Sequence, residues 1–235
     1  MRAVILAGGK GARLRPYTIT LPKPLVPVGG EMPIIEVIIR QLARAGFKRL
    51  TFAVNHKANL IRAFCGDGSQ WGLQIDYSQE DQPLSTIGPL TLIRDLPEHF
   101  LVMNGDLLCD LDYRAFLEHH MRSGNEISVS TYKRAVNSDF GVLKVDENGA
   151  VAGFEEKPVF HFDVSMGVYC LSRSVIDRLE RGAPYGFDQL MCDGIKGGFR
   201  LEAVPFRGFW LDIGRPEDYE LANQEFARLK AQWKL

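Results

Sequence analysis

Strand-like apolar runs alternate with helical apolar patterns through roughly the first hundred residues of this chain, and that alternation limits its fold more than any other feature. Residues 3–6 (AVIL) read as a short buried strand that stops at Gly8. Pro33 then opens a pattern in which Ile34, Ile35, Val37, Ile38 and Leu42 recur at helical spacing, and Gly46 ends it. Residues 50–54 form the next strand, followed by a helix to about Phe64. Residues 74–78 are a third strand, and a helix over 88–94 leads into a fourth at 100–104. A parallel connection needs a crossover long enough to hold a helix, so this rhythm predicts a mostly parallel sheet with helices on both faces.

The second half changes rhythm. Residues 126–132, 141–145, 150–156 and 164–171 read as strands with little helix between them, an antiparallel or mixed extension expected to act as a lid over the sheet's carboxyl edge. Helices are expected at 172–179 and 187–195, strands at 200–206 and 208–213, and a terminal helix at 217–233. No repeat or composition shift marks a linker across the 235 residues. The expectation is therefore one α/β unit: a three-layer α/β/α sandwich on a Rossmann-like mixed, mostly parallel sheet, with its site at the strands' carboxyl ends.

The formal net charge is −1, so no overall field favours nucleic acid or an acidic membrane surface, and any anion must be held by a local cluster. Cys65, Cys109, Cys170 and Cys192 are dispersed and none falls in a CxxC pair, which argues against a zinc site or a disulfide framework and for reduced thiols in a cytoplasmic protein. The start, MRAVILAGG, has too short an apolar run for a signal peptide's core, and no stretch approaches a membrane span.

The first loop, LAGGKGARLRPYT at 6–18, is bare of side chains and rich in charge. Gly8, Gly9 and Gly11 let the backbone turn tightly and bring N–H groups against an anion at the end of a strand. The pattern GxxxxGK[ST] is absent, and GxGxxG fails because its third glycine would fall on Leu14. What remains is GGxGxRL, with Arg13 offering a planar fork and Lys23, stiffened between Pro22 and Pro24, a point charge. On these residues alone a polyphosphate site competes with a tight turn carrying solvated charges.

The loop, LPKPLVPV after it, NGD at 104–106, EKP at 156–158 and WLDIGRPEDY at 210–219 together resemble the sugar-1-phosphate nucleotidyltransferases, in that family's order and over nearly the whole chain. The PKPLVPV form and the DIGRPEDY ending are most similar to the guanylyltransferases for mannose 1-phosphate and D-glycero-D-manno-heptose 1-phosphate. The resemblance implies a fold of the nucleotide-diphospho-sugar transferase type, with a nucleotide part over about 1–110 and a sugar part over about 111–235. The chain is expected to stop about where that family's catalytic domain stops, without room for the left-handed β-helix of some members.

The reaction implied is attack of a sugar 1-phosphate oxygen on the α-phosphorus of an NTP, giving an NDP-sugar and pyrophosphate. Two anions must meet, so charge must be neutralised and geometry held. The resemblance assigns Arg13, Lys23 and Asp106 to catalysis and gives Mg²⁺ to Asp106 and Asp212, each at the end of an expected strand. It places the nucleotide against Leu6, Ala7, Gly8, Gly9 and Gly11, with Arg13 and Lys23 on its phosphates and Glu80, Ser85 and Thr86 nearer the base. The sugar phosphate falls to Gly141, Glu156, Lys157 and Ser165. Expected partners are GTP and a mannose- or heptose-type sugar 1-phosphate, with cell-envelope glycan as the destination and a homo-oligomer left open.

The chain departs from the family in two places that bear on specificity. Ser85, in LSTIG, stands where a glycine is common, close to the base. Ser165 stands where asparagine often precedes the Gly-x-Tyr strand. Glu80 could accept from guanine N1–H and N2–H together, whereas uracil and thymine offer one N3–H between carbonyls that would repel it. The other reading of Glu80 is a solvated acid beside Asp81.

Alternatives of other classes remain at this point. A uridylyl-, cytidylyl- or thymidylyltransferase would use the same fold. A glycosyltransferase could place its metal on Asp110 and Asp112, although Asp112 also reads as the N-cap of a helix starting at Tyr113. A third reading is a non-catalytic nucleotide-sugar sensor. His119 and His120 read as surface residues, His56 and His99 as structural, and Trp71, Trp210 and Trp233 as packing.

Overall fold

The computed structural model describes all residues, Met1–Leu235. The chain enters its main sheet with β1 (Arg2–Leu6), an interior strand in which alternate side chains go to opposite faces. Ala3 and Ile5 join a large apolar cluster on one side, and Val4 joins a smaller one on the other. After a short hairpin of β2 (Pro27–Val28) and β3 (Met32–Pro33), the apolar spacing read in the sequence produces α1 (Ile34–Arg44). Pro33 sits at its N-cap, Glu36 lies in its first turn, and Gly46 follows its end with φ +85°, where a side chain would be strained. Ile34, Ile35, Val37, Ile38, Ile39 and Leu42 are all buried, each contributing about 1.5–3 kcal/mol by removal from water.

The remaining elements are β4 (Arg49–Val54), α2 (Ala58–Cys65), β5 (Gln74–Gln79), β6 (His99–Asn104), β7 (Leu107–Cys109), α3 (Tyr113–Ser123) and β8 (Ile127–Asn137). They are followed by β9 (Val142–Val145), β10 (Val151–Glu155), β11 (Val159–Ser172), α4 (Arg173–Asp177), α5 (Phe187–Lys196), β12 (Leu201–Phe206), β13 (Trp210–Asp212) and α6 (Pro216–Trp233). Seven strands form one sheet in the order β12-β8-β11-β6-β1-β4-β5. Only β11 runs against the others, pairing antiparallel with both β6 and β8. The large cluster takes side chains from α1, α2, α3 and α6, and the small one from α4 and α5, so helices cover both faces. This is the expected three-layer, mixed but mostly parallel arrangement.

Several local expectations are corrected. Residues 88–94 do not form an α-helix; a 3₁₀ turn spans Gly88–Leu92, and the N–H groups of Ile87 and Gly88 both donate to the Tyr185 carbonyl instead of starting a helix. β9 and β10 pair only with each other, outside the main sheet. β8 and β11 run well past the expected 126–132 and 164–171, continuing as a ribbon beyond the sheet. The pairing of β7 with β13 was not foreseen.

His120 is a larger correction, because it is fully buried between α3 and the sheet. Its Nδ1 lies 2.8 Å from Ser128 Oγ, and the His99 ring meets it edge-on at 5.2 Å. Burial, and then the neighbouring His99, push its pKa down from 6.5 to about 4. The unfolded chain therefore binds a proton between these values that the folded chain refuses. The resulting stabilisation is complete above pH 6.5 and is lost as pH falls towards 4, by up to about 3 kcal/mol. His120→Asn should flatten the melting temperature between pH 6.5 and 4 relative to the parent; two profiles of equal slope would refute the assignment. His119 is half-exposed and lies 3.0 Å from Glu202, in keeping with a surface position.

Candidate functional site

β1, β4, β5 and β6 are parallel, so their carboxyl ends open on one edge of the sheet. The glycine loop leaves β1 there. Gly11 needs to be glycine for the chain's own sake: its φ is +62°, and an added Cβ would lie 3.0 Å from Thr18 Cγ2. Thr18 also donates from Oγ1 to the Gly11 carbonyl at 2.7 Å, locking the loop. Gly9 differs. Its φ is outside the left-handed region and nothing lies within 4 Å of where a Cβ would stand, so no neighbour in the chain demands a glycine there. The space beside it belongs to a cavity of about 750 Å³.

That cavity gathers the expected nucleotide set. Leu6, Ala7, Gly8, Gly9, Gly11 and Arg13 line it from the loop. Lys23 and Asp106 line it from one side, and Glu80, Ser85 and Thr86 from another. Asn55 and His56, which follow β4, also line it. His56 therefore faces the cavity, correcting its reading as merely structural. The signal available in the sequence was its place two residues beyond a parallel strand, at the same edge as the glycine loop.

Glu80 is buried, correcting the reading of a solvated acid. Its Oε2 accepts from Leu84 N at 2.9 Å and its Oε1 from Asn55 Nδ2 at 3.0 Å. Each oxygen retains a second acceptor position. Ser85 adopts φ +65°, which explains why a glycine suits this position. Ser85→Gly relieves left-handed strain worth about 1–2 kcal/mol, partly offset by the flexibility glycine adds to the unfolded chain. A rise of roughly 2 °C in melting temperature is expected; a fall would show that the serine side chain is itself a stabilising contact.

Two carboxylates meet because of the unforeseen β7–β13 pairing. Asp106 precedes β7, and the register sets Asp212 opposite Leu107. Ile213 N donates to the Asp106 carbonyl at 3.2 Å, closing the junction. Buried Lys23 pairs directly with Asp106 Oδ2 and lies 3.8 Å from Asp212 Oδ1. Burial, and then the charge of Asp106, raise the Asp212 pKa, while Lys23 and Arg13 pull it the other way. Asp106 Oδ1 is buried with no hydrogen-bond partner. A half-buried carboxylate pair sharing one lysine, with one oxygen unsatisfied, is a donor set that suits a hard cation with few protein ligands and several waters. No third His, Cys, Asp or Glu joins them.

The expected sugar-phosphate residues stand apart from the cavity lining. Gly141 and Glu156 are neighbours: a Cβ at Gly141 would lie 3.0 Å from Glu156 Oε2 and 2.5 Å from Phe154. Lys157 is exposed just past β10, with φ +45°. Ser165 Oγ donates to Tyr169 OH at 3.4 Å. Burial and then the Ser165 bond act on the Tyr169 pKa in opposite directions; burial prevails and raises it, and the charges of Asp106 and Asp212 add to the rise. Ser165 thus lies on the acidic side of the site.

The rival DxD has other duties. Asp110 Oδ1 accepts from Phe209 N at 2.7 Å, and Asp112 Oδ1 accepts from Ala115 N at 2.9 Å, capping α3. Both carboxylates are committed to local structure.

Strand direction thus delivers a glycine loop, a lysine and an acid pair to one sheet edge, and this organisation defines the class: a Rossmann-like α/β protein that presents its loops to a ligand at the strands' carboxyl ends. Comparison with known proteins makes it particular. Residues 2–228 match the family described as Nucleotidyl transferase, and the chain belongs to that family. A mannose-1-phosphate guanylyltransferase catalytic subunit beta from Drosophila pseudoobscura pseudoobscura is 33% identical over 225 residues, covering 93% of this chain and 60% of the relative. The chain therefore spans about 60% of the length of the curated relatives it matches. The crystal structure of HddC from Yersinia pseudotuberculosis superposes with a TM-score of 0.74 at 27% identity, covering 96% of this chain and 99% of that one. HddC complexed with GMP-PN superposes at 0.71 over the same shares, again at 27% identity. No helix of this chain is long and apolar enough to cross a membrane.

Proposed function

We propose that the chain transfers a guanylyl group from GTP to a mannose- or heptose-type sugar 1-phosphate, releasing pyrophosphate. The observation that carries this reading is the convergence of Lys23, Asp106 and Asp212 at the rim of the cavity lined by the glycine loop. Backbone N–H groups of Gly8 to Gly11 hold the triphosphate, and Gly9 lets it approach closely. Arg13 and Lys23 offset charge on the phosphates as pyrophosphate departs. Asp106 and Asp212 would hold Mg²⁺, which would supply the positive charge that lowers the repulsion between the two anions. Glu80 reads guanine through its remaining acceptor positions, with Asn55 and Leu84 N–H fixing its orientation. Gly141, Glu156, Lys157 and Ser165 receive the sugar phosphate, dividing the chain into a nucleotide part to about residue 110 and a sugar part beyond. A cytoplasmic site of action and use of the product for cell-envelope glycan complete the proposal.

The two kinds of comparison support it. A relative that matches nearly all of this chain is named for mannose-1-phosphate guanylyl transfer, and HddC was solved with GMP-PN. The test is pyrophosphate release with Mg²⁺, four NTPs and mannose, glucose, glucosamine and heptose 1-phosphates. Release with GTP and a mannose- or heptose-type acceptor is expected. Release with UTP, CTP or dTTP alone would overturn the assignment of the base to Glu80, and silence with every pair would overturn the transferase reading.

A further inference from the structure

Three consecutive residues follow β4 at the edge of the cavity, and each has a different neighbour. Asn55 donates from Nδ2 to Glu80 Oε1 at 3.0 Å, and His56 lines the cavity. Lys57 does neither. It stands at the N-cap of α2, outside the cavity lining, and reaches across to the turn that follows the glycine loop. Its Nζ donates to the Thr18 carbonyl at 3.1 Å and to the Ile19 carbonyl at 2.6 Å. Thr18 is buried, and its Oγ1 in turn holds the Gly11 carbonyl at 2.7 Å. Contacts thus run from the end of β4 to Gly11, two residues before Arg13. Nothing about α2 asks for a lysine at its start. The Lys57 side chain makes no capping hydrogen bond, and a cation at a helix N-terminus opposes the helix dipole. Its backbone has φ +56°, a left-handed conformation that glycine would adopt without strain. What a lysine supplies here is the reach to hold two carbonyls with one ammonium.

We propose, resting on the transferase reading above, that Lys57 is a positioning residue for the nucleotide: it holds residues 11–19 in the shape that receives the triphosphate, without touching the nucleotide itself. Tyr17 fastens the same turn elsewhere, its ring 4.6 Å from that of Tyr219. The Ile19 side chain is exposed and does not secure its end of the turn, which leaves that work to Lys57. Without the ammonium, the loop has to be ordered as GTP binds. That ordering cost falls on the ground-state and transition-state complexes alike, so it appears in affinity and KM and leaves kcat in place.

Calorimetric titration with GTP, steady-state pyrophosphate release and thermal melts of three variants of the full chain test this. Lys57→Met keeps most of the stem and removes the donors. Lys57→Gly removes the side chain and relieves the left-handed backbone, so it should melt within about 3 °C of the wild type. Both should bind GTP roughly 10–30-fold more weakly and raise KM by the same factor at unchanged kcat, the size expected for two charge-assisted hydrogen bonds partly open to water. Lys57→Arg, whose guanidinium can also donate to two carbonyls, should recover most of the loss. Amide exchange over residues 11–19 should quicken in Lys57→Gly while α1 keeps its wild-type rate. If Lys57→Met melts early, Lys57→Gly alone decides. Wild-type GTP affinity in Lys57→Gly, or a loss of kcat at unchanged KM, overturns the proposal. A wild type that binds no nucleotide removes the transferase reading itself, and the role of Lys57 with it.

Discussion

Asp106→Asn is expected to lower pyrophosphate release about 10³-fold while leaving the fold intact, a loss of the size seen when one preorganised charge-stabilising group is removed from a reacting centre. The substitution keeps the side chain's volume and removes one negative charge from a place where two carboxylates share one lysine. Lys23 does not lose all compensation, because Asp212 Oδ1 remains 3.8 Å away. The buried Oδ1 of Asp106 has no partner within the chain, so only the Oδ2 bond to Lys23 is at stake in the resting fold, and an asparagine oxygen can still accept from that lysine. A second readout is independent of turnover. Mg²⁺ at ten times its dissociation constant should stabilise the wild type by about 1.4 kcal/mol, and Asp106→Asn should abolish that shift. A variant that retained more than a tenth of the turnover, or an undiminished Mg²⁺ shift, would remove Asp106 from the centre of the mechanism.

The difference between local and long-range information explains what the sequence made legible. The spacing of Ile34, Ile35, Val37, Ile38 and Leu42, and the Gly46 stop, depend on a single helix, so α1 could be read directly. Likewise the glycine loop needs only a preceding strand. The junction of Asp106 with Asp212 depends on pairing across a hundred residues of chain, in strands of three residues each, and three residues carry too little periodicity to announce a strand. Only the resemblance joined those two acids beforehand. His120 misled for another reason: a polar residue on a helix reads as surface unless the facing strand is known to supply a hydroxyl, here Ser128. His56 was missed because one histidine in a loop has no pattern; the direction of β4 brings it to the cavity.

Gly9→Val and Gly11→Ala should fail in opposite ways, although the two glycines are two residues apart. Gly11 is fixed by the protein itself. Left-handed backbone at φ +62° costs a residue with a Cβ about 1–2 kcal/mol, and the added carbon meets buried Thr18 at 3.0 Å. Gly11→Ala should therefore lower the melting temperature by roughly 4–8 °C, as expected for about 2 kcal/mol in a chain of this length. Gly9 carries neither constraint, so Gly9→Val should melt with the wild type. Its isopropyl group would instead fill cavity space in which the proposed triphosphate site lies against the loop's N–H groups. Losing one charge-assisted hydrogen bond there is worth about 1.5–3 kcal/mol, and so roughly 100-fold in nucleotide affinity. Calorimetric titration with GTP beside thermal melts separates the two effects. If Gly9→Val bound GTP as tightly as the wild type, the space beside Gly9 would be open solvent, and the phosphates would have to lie elsewhere along the loop. If it bound weakly but also melted early, the loop would have moved, and the absence of any contact for a Cβ at Gly9 would no longer argue for a ligand.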